Sequence, residues 1–192
     1  CGGSGAAPTV APTVGPTLAP ASPAVTPDPA ATPDPAATPG PTSGATDDPA
    51  AAARGVLEAT AWGSVALTDV ETGQPFRIAD YAGRTVFVES MAIWCSNCRA
   101  QQARFRDALA QLDPALVAYV VLTVDPGETG EALARYKAQQ GFTGTYAVAG
   151  RDVAAALAAD FGPIAISPPS VPVVIIRPDG SIEFRTGAKS VD

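Results

Sequence analysis

The chain has 192 residues, a net charge of −7 and 46% hydrophobic residues, with three cysteines and no histidine. It has no basic stripe, which argues against nucleic acid as a partner. It also has no apolar run of the ~18–20 residues that a membrane helix needs. The 20 prolines are too many for one compact domain and are unevenly distributed. The composition therefore predicts two unlike regions.

The N-terminal region is rich in Pro, Thr and Ala. Residues 1–50 hold twelve of the prolines, only four acids, and no Lys, Arg or aromatic residue. Such a segment cannot bury enough apolar surface to offset the entropy lost on ordering. Proline at this density favours an extended, semi-rigid spacer. We therefore predict a disordered tether over residues 1–53 and one domain over residues 54–192.

The sequence begins CGGSGAAP, with Cys1 as its first residue. This resembles a mature bacterial lipoprotein, in which a lipid-modified cysteine precedes small residues and a flexible tether. The resemblance implies lipidation at Cys1, anchoring to the lipid bilayer of the bacterial cell membrane, and an extracytoplasmic location. Disulfide chemistry is permitted there. The alternative is a free thiol at an arbitrary end of the chain.

The predicted elements of the domain alternate between strands and helices. In chain order they are a strand at 62–70, a short strand and loop at 76–84, a buried strand at 85–90, a helix at 96–112, a buried strand at 115–124, a helix at 131–140, a short strand at 145–150, a helix at 151–162 and a hairpin at 171–187. This order indicates an α/β fold with a central sheet. Ser190 could cap a further helix that would cover one face of the sheet. That final helix is therefore expected to be missing from the sequence, unless the face is covered in another way.

Cys95 and Cys98 are separated by two residues, after a buried strand and at the start of a predicted helix. A structural zinc site uses four Cys or His ligands, whereas the domain offers two cysteines and no histidine. A c-type haem needs a histidine after the second cysteine, where this chain has Arg99. A cysteine hydrolase needs a histidine base. We therefore predict no metal and no cofactor, which leaves an inert disulfide or a redox pair.

The spacing favours the redox pair. At the start of a helix, Cys95 meets unpaired backbone N–H groups and the positive end of the helix dipole, which stabilise a thiolate. A structural disulfide gains most when it closes a long loop, and this one closes almost none. We therefore predict a redox-active disulfide between Cys95 and Cys98.

The segment FVESMAIWCSNCRAQQ resembles the active-site segment of the thioredoxin superfamily. The flanks FRIADYAGRTVFV and VPVVIIRPDGSIEFRTG are similar to membrane-anchored TlpA/ResA-type thiol–disulfide oxidoreductases, over about residues 60–187. This implies a thioredoxin-like fold, with a mixed sheet flanked by helices, an N-terminal strand extension and a C-terminal β-hairpin. It also implies an enzyme that exchanges with protein thiols and disulfides, and a membrane protein that donates or accepts its electrons.

The resemblance also implies roles for individual residues. Cys95 would be the exposed nucleophile that forms the mixed disulfide, and Cys98 the resolving thiol. Trp94 would pack beside the pair. Pro172 would be a cis-proline opposite the cysteines, and Val171 would offer backbone groups to an extended substrate peptide.

Glu89 occupies a position, six residues before Cys95, at which thioredoxins often carry a buried carboxylate. Burial would raise its pKa and make it a proton acceptor for Cys98 during resolution. The alternative is a solvent-facing glutamate at the end of a strand.

Two other functions would use the same cysteines. Two soft thiolates can hold and deliver Cu(I), although Sco-type copper proteins need a histidine that this chain lacks. The segment LTVDPGETGEALARY also resembles peroxiredoxin-like proteins, but these want a threonine three positions before the cysteine, where this chain has Ala92. The dipeptide Ser96-Asn97 lacks the proline common before the second cysteine. The substrate and the direction of electron flow stay open.

Overall fold

The computed structural model describes residues 48–189. The lipidation predicted at Cys1, nearly all of the predicted tether, and the helix cap predicted at Ser190 lie outside these residues. Within the described part of the chain, no helix combines the length and the apolar character needed to cross a bilayer.

Four helices and seven strands build the domain. In chain order they are α1 (Pro49–Glu58), β1 (Leu67–Thr68), β2 (Pro75–Phe76), β3 (Thr85–Met91), α2 (Ser96–Leu109), β4 (Val117–Thr123), α3 (Gly130–Gln140), β5 (Thr145–Val148), α4 (Arg151–Phe161), β6 (Val173–Ile176) and β7 (Ile182–Arg185). The main sheet has the order β5-β4-β3-β6-β7. Strands β3, β4 and β5 are parallel, whereas β6 and β7 run antiparallel to their neighbours. The predicted mixed sheet and C-terminal hairpin are confirmed.

Side chains alternate between two faces along β3. Val86 and Val88 point into a core that includes residues of α1 and α4. Phe87 and Met91 point into a second core, with residues of α2 and α3. Because alternate residues of a strand share a face, Glu89 lies on the side of the sheet that α2 covers.

Helix α1 begins five residues before the predicted domain boundary. Asp48 caps it by accepting the backbone N–H of Ala50 at 3.0 Å, and Pro49 takes the first helical position, where its missing N–H removes no helical bond. Ala53 and Leu57 are fully buried. The folded part therefore includes residues that the sequence placed in the tether.

The strand predicted over 62–70 is mostly wrong, because only Leu67–Thr68 is extended, pairing antiparallel with β2. Trp62 is fully buried in a turn instead, and its indole N–H donates to Asp160 at 2.8 Å. The hydroxyl of Thr60 bonds backbone groups on both sides of it. These local side-chain bonds replace a strand ladder.

The turn between β6 and β7 packs closely against α1, and one substitution tests this contact. Gly180 has a φ of +84°, and a Cβ there would lie 2.8 Å from the Cα of Ala53. We expect Gly180→Ala to lower the free energy of unfolding in urea by about 2–4 kcal/mol, through backbone strain and a clash. Gly73→Ala is the matched control, because Gly73 has a φ of +70° with no atom within 4 Å, and should lose about 1 kcal/mol. Equal losses would contradict this packing of α1.

Candidate active site

The Cys-x-x-Cys pair lies between β3 and α2. Cys95 is the N-cap of α2, and Cys98 lies in the first turn of that helix. Their sulfur atoms are bonded, and their Cα atoms are 5.3 Å apart. The Cys95 Sγ accepts the backbone N–H of Cys98 at 3.1 Å. In the reduced pair, this N–H and the helix dipole would stabilise a Cys95 thiolate.

Both cysteines are buried, Cys95 being 2% exposed and Cys98 0%. The expectation of an exposed Cys95 is therefore wrong for this disulfide form. The Cys95 side chain turns inward to reach its partner and joins the core that contains Met91 and Phe105. The Cys98 Sγ lies 3.1 Å from the carbonyl oxygen of Pro168, in the loop before β6. We therefore expect that a substrate sulfur reaches Cys95 after a local movement, and the loop at Pro168 is in contact with the disulfide through Cys98.

Glu89 is fully buried in β3, so the alternative of a solvent-facing side chain is wrong. Its Oε2 accepts the hydroxyl of Tyr119 at 2.5 Å, and its Oε1 accepts Nε2 of Gln102 at 3.3 Å. Gln102 follows Cys98 by four residues, so the residue that donates to the carboxylate lies one helical turn from that cysteine, on the same face of α2. Burial raises the pKa of Glu89 to about 7, against the opposing effect of the two hydrogen bonds.

Two further tyrosines complete this buried network. The hydroxyls of Tyr136 and Tyr146 both donate to Oε1 of Gln102, at 3.1 and 3.2 Å. Burial raises the pKa of both tyrosines, and the charge of Glu89 raises it further. The hydroxyls therefore stay protonated as hydrogen-bond donors. The sequence did not identify them, because a tyrosine in an apolar strand or helix face is typical of any core.

The loop after β4 holds the segment that leads into the cysteine pair. Glu128 accepts the backbone N–H of Ile93 at 2.7 Å and the hydroxyl of Thr123 at 2.5 Å. The indole N–H of Trp94 donates to Asp125 at 2.7 Å, and this bond lowers the pKa of Asp125. Trp94 is 62% exposed. The ring is therefore held at the surface by the Asp125 carboxylate and is no ordinary core aromatic, and its packing beside the cysteine pair stays a prediction.

No protein-family model matches the chain, and no curated protein is significantly similar to it in sequence. Solved structures are similar in fold. A thiol:disulfide interchange protein of the thioredoxin family from Chlorobium tepidum has a TM-score of 0.55 at 18% identity, covering 66% of this chain and 85% of that one. A secreted Mycobacterium tuberculosis disulfide oxidoreductase homologous to E. coli DsbE has a TM-score of 0.50 at 18% identity, with the same coverage. StoA from Bacillus subtilis has a TM-score of 0.51 at 15% identity, covering 66% of this chain and 90% of that one.

The chain has a thioredoxin-like fold. At these identities the comparison shows the arrangement of the sheet and helices, as the sequence predicted.

In this thioredoxin-like fold, Pro172 lies beside Ser90 of β3. The backbone N–H of Ser90 donates to the carbonyl of Pro172 at 3.2 Å. The cis conformation expected for Pro172 is wrong, because residues 48–189 contain no cis peptide bond. The chain turns instead at Val171, whose φ of 47° is left-handed and strained for a β-branched residue. This turn follows the short 3-10 segment Pro168–Ser170 and lets the chain enter β6 through a trans bond.

A groove of about 380 Å³ lies near the first turn of α2. One wall comes from the outer face of α2, and the other from the loop before β6 and the segment after β7. Its lining includes Asn97, Ala100, Arg104, Ile164, Val171 and Ala188. Val171 thus borders this groove, and its contact with an extended substrate peptide stays a prediction. Asn97 Nδ2 also donates to the carbonyl of Pro169 at 3.1 Å. This bond joins the first turn of α2 to the segment Pro168–Ser170, which we call the covering loop.

The same region offers few ligands for a metal. Among the residues that the structure describes, no group of three or more His, Cys, Asp or Glu side chains is arranged to hold a metal ion. The site combines two bonded sulfur atoms at a helix start with a carboxylate buried on the same side of the sheet.

Proposed function

We propose that this chain is a thiol–disulfide oxidoreductase that cycles Cys95 and Cys98 between disulfide and dithiol. The observation that carries this proposal is the bonded pair at the start of α2, with the Cys98 N–H on the Cys95 sulfur. The described function of two proteins with the same fold, a thiol:disulfide interchange protein and a disulfide oxidoreductase, supports it.

In the reducing direction, the Cys95 thiolate attacks one sulfur of a substrate disulfide, and the other substrate sulfur leaves as a thiolate. Cys98 then gives its proton to the Glu89 carboxylate and attacks the Cys95 sulfur. The Cys95–Cys98 bond forms, and the second substrate sulfur leaves as a thiolate. Two electrons pass to the substrate, and the reverse sequence oxidises a substrate dithiol.

Glu89 is suited to the resolving step. Its pKa of about 7 lets the carboxylate accept a proton near neutral pH and release it again. Gln102 connects the carboxylate to the turn of α2 that carries Cys98. Because Gln102 and Cys98 are one helical turn apart on the same helix face, this connection favours a role in resolution.

We also propose an extracytoplasmic place of action, in the manner of TlpA/ResA-type proteins. The Mycobacterium tuberculosis protein of the same fold is described as secreted. Disulfides form and persist in oxidising compartments outside the cytoplasm. A reductant in such a compartment needs electrons from a membrane protein. Attachment through a lipid on Cys1 stays a prediction.

Direct exchange with a small disulfide-containing protein tests the proposed function. The dithiol form should reduce that disulfide, and mass spectrometry should show one Cys95–Cys98 disulfide for each disulfide reduced. Equilibration with glutathione should give a reduction potential within the range of about −270 to −120 mV known for the superfamily. A pair that transfers electrons in neither direction would reject the proposal.

A further inference from the structure

The segment Gly187–Lys189 lies across the loop that covers the cysteines. The backbone N–H of Gly187 donates to the carbonyl of Ser170 at 2.7 Å. The backbone N–H of Lys189 donates to Oε1 of Gln101 at 2.8 Å, and the Lys189 ammonium group donates to the carbonyl of Val171. Gln101 is itself buried in α2. The segment therefore joins α2 to the covering loop through one lysine.

These bonds bring a cation towards the buried carboxylate. Val171 leads through Pro172 into β6, where Val173 pairs with Glu89 of β3. The Lys189 ammonium group is thus bound two residues before the β6 residue that pairs with Glu89. Burial raises the pKa of Glu89, and the charge of Lys189 opposes this. Burial lowers the pKa of Lys189 to about 8, and the charge of Glu89 opposes that in turn.

The other titratable groups that face Glu89 are neutral near pH 7. They are Tyr119 from β4, Tyr136 from α3 and Tyr146 from β5, whose pKa values are all raised. On α2, the reduced Cys98 thiol lies one helical turn before Gln102, which donates to the carboxylate. Within residues 48–189, Lys189 is the cation whose charge acts on Glu89. It is the one charge near the carboxylate that favours the ionised form.

We propose that Lys189 is a positioning residue for the exchange reaction, with its ammonium group fixed on the Val171 carbonyl so that Glu89 is ionised and ready to accept the Cys98 proton. This inference rests on the proposed function. Without the cation, Glu89 keeps its proton to a higher pH, and the transfer of the Cys98 proton to it begins at a higher pH. The order of bond breaking and bond making does not change.

The pH dependence of resolution tests this. Single-turnover reduction at saturating substrate disulfide is measured from pH 5 to 9 for the wild type, Lys189→Met and Lys189→Arg. We expect the midpoint for Lys189→Met to rise by about 0.5–1 pH unit, with a three- to tenfold slower rate at about pH 6. Lys189→Arg keeps the charge and should retain the wild-type profile.

Two further variants make the test specific. Arg177→Met removes one positive charge at the far end of β6, where Arg177 pairs with Glu183, and should leave the profile unchanged. In the background of Glu89→Gln, Lys189→Met should have no further effect on the profile. A shift of equal size in that background, or equal shifts in the Met and Arg variants, would overturn the inference.

The inference and the proposed function fail in different ways. If the wild type exchanges and Lys189→Met has an unchanged profile, only the role of Lys189 is wrong. If the wild type does not exchange at all, the proposed function is wrong. A carbon-13 NMR titration of the Glu89 carboxyl group then still decides whether the two charges are coupled, and an unchanged midpoint in Lys189→Met would refute the coupling.

Discussion

Replacing Cys95 by serine is expected to lower the rate of disulfide exchange by more than about 10³-fold, because the attacking thiolate is lost. Cys98→Ser should instead allow the first step and stop there. The structure gives the reason for this asymmetry. The Cys95 sulfur receives a helical N–H that would stabilise its thiolate, whereas the Cys98 sulfur faces the carbonyl oxygen of Pro168, which stabilises a thiol and opposes a thiolate.

The two variants are compared by trapping. After incubation with a substrate disulfide, Cys98→Ser should show a mass increase equal to one substrate half, linked to Cys95. Cys95→Ser should show none. The opposite pattern, with an adduct on Cys98 alone, would reverse the assigned roles. Far-UV circular dichroism checks that both variants fold, as expected, since this disulfide closes too short a loop to stabilise the fold greatly.

The burial of the disulfide also predicts how fast a substrate thiolate attacks the oxidised protein. Because Cys95 is 2% exposed in the disulfide form, a substrate thiolate should attack the oxidised protein slowly until the loop at Pro168–Ser170 moves. Asn97 joins that loop to α2 through Pro169. The rate of attack on the oxidised form therefore measures how readily this cover opens.

The sequence predicted the centre of the fold because that part of the chain follows simple periodic rules. The apolar runs at 85–90 and 115–124 became β3 and β4, the two neighbouring strands at the centre of the sheet. The alternation along β3 also explains why Glu89 shares a face with α2 and the cysteines. A helix start after a buried strand then places the pair at the edge of the sheet.

The sequence failed where local chemistry or long-range contacts decide the outcome. Asp48-Pro49 is a recognised helix start, but its proline-rich surroundings hid α1. The burial of Cys95 and the exposure of Trp94 depend on partners far away in the chain, such as Asp125. The approach of Lys189 to Glu89 depends on a loop and a C-terminal segment that have no periodicity.

Glu89→Gln should change how stability depends on pH. The pKa of Glu89 is about 7 in the folded protein against an ordinary value of 4.5, so the folded state binds this proton more tightly than the unfolded state does. The stability contributed by the protonated carboxyl is therefore present below about pH 4.5 and is lost as the pH rises through about 7. At about 1.4 kcal/mol per pH unit, this gap corresponds to a loss of about 3 kcal/mol.

Glutamine is neutral at every pH and nearly the same shape, so Glu89→Gln should lie within about 1 kcal/mol of the wild type near pH 5 and exceed its stability by up to about 3 kcal/mol near pH 7.5. Urea unfolding of the oxidised proteins at both pH values measures this. The chain has no histidine, and the oxidised pair does not titrate. Lys189, with a pKa of about 8, acts mainly above this window.

Glu183→Gln is the matched control, because Glu183 lies on the edge strand β7 with its side chain 26% exposed, and its pKa is lowered by its hydrogen bonds to Arg177 and Arg185. That variant should keep the wild-type slope between pH 5 and 7.5. A flat wild-type profile, or a slope that persists in Glu89→Gln, would show that the buried carboxylate is not the group that titrates. Glu89→Gln should also slow the resolving step by about 10²-fold. A variant that is more stable and yet slower would mean that the chain keeps a destabilising carboxylate in its core because the exchange reaction uses it.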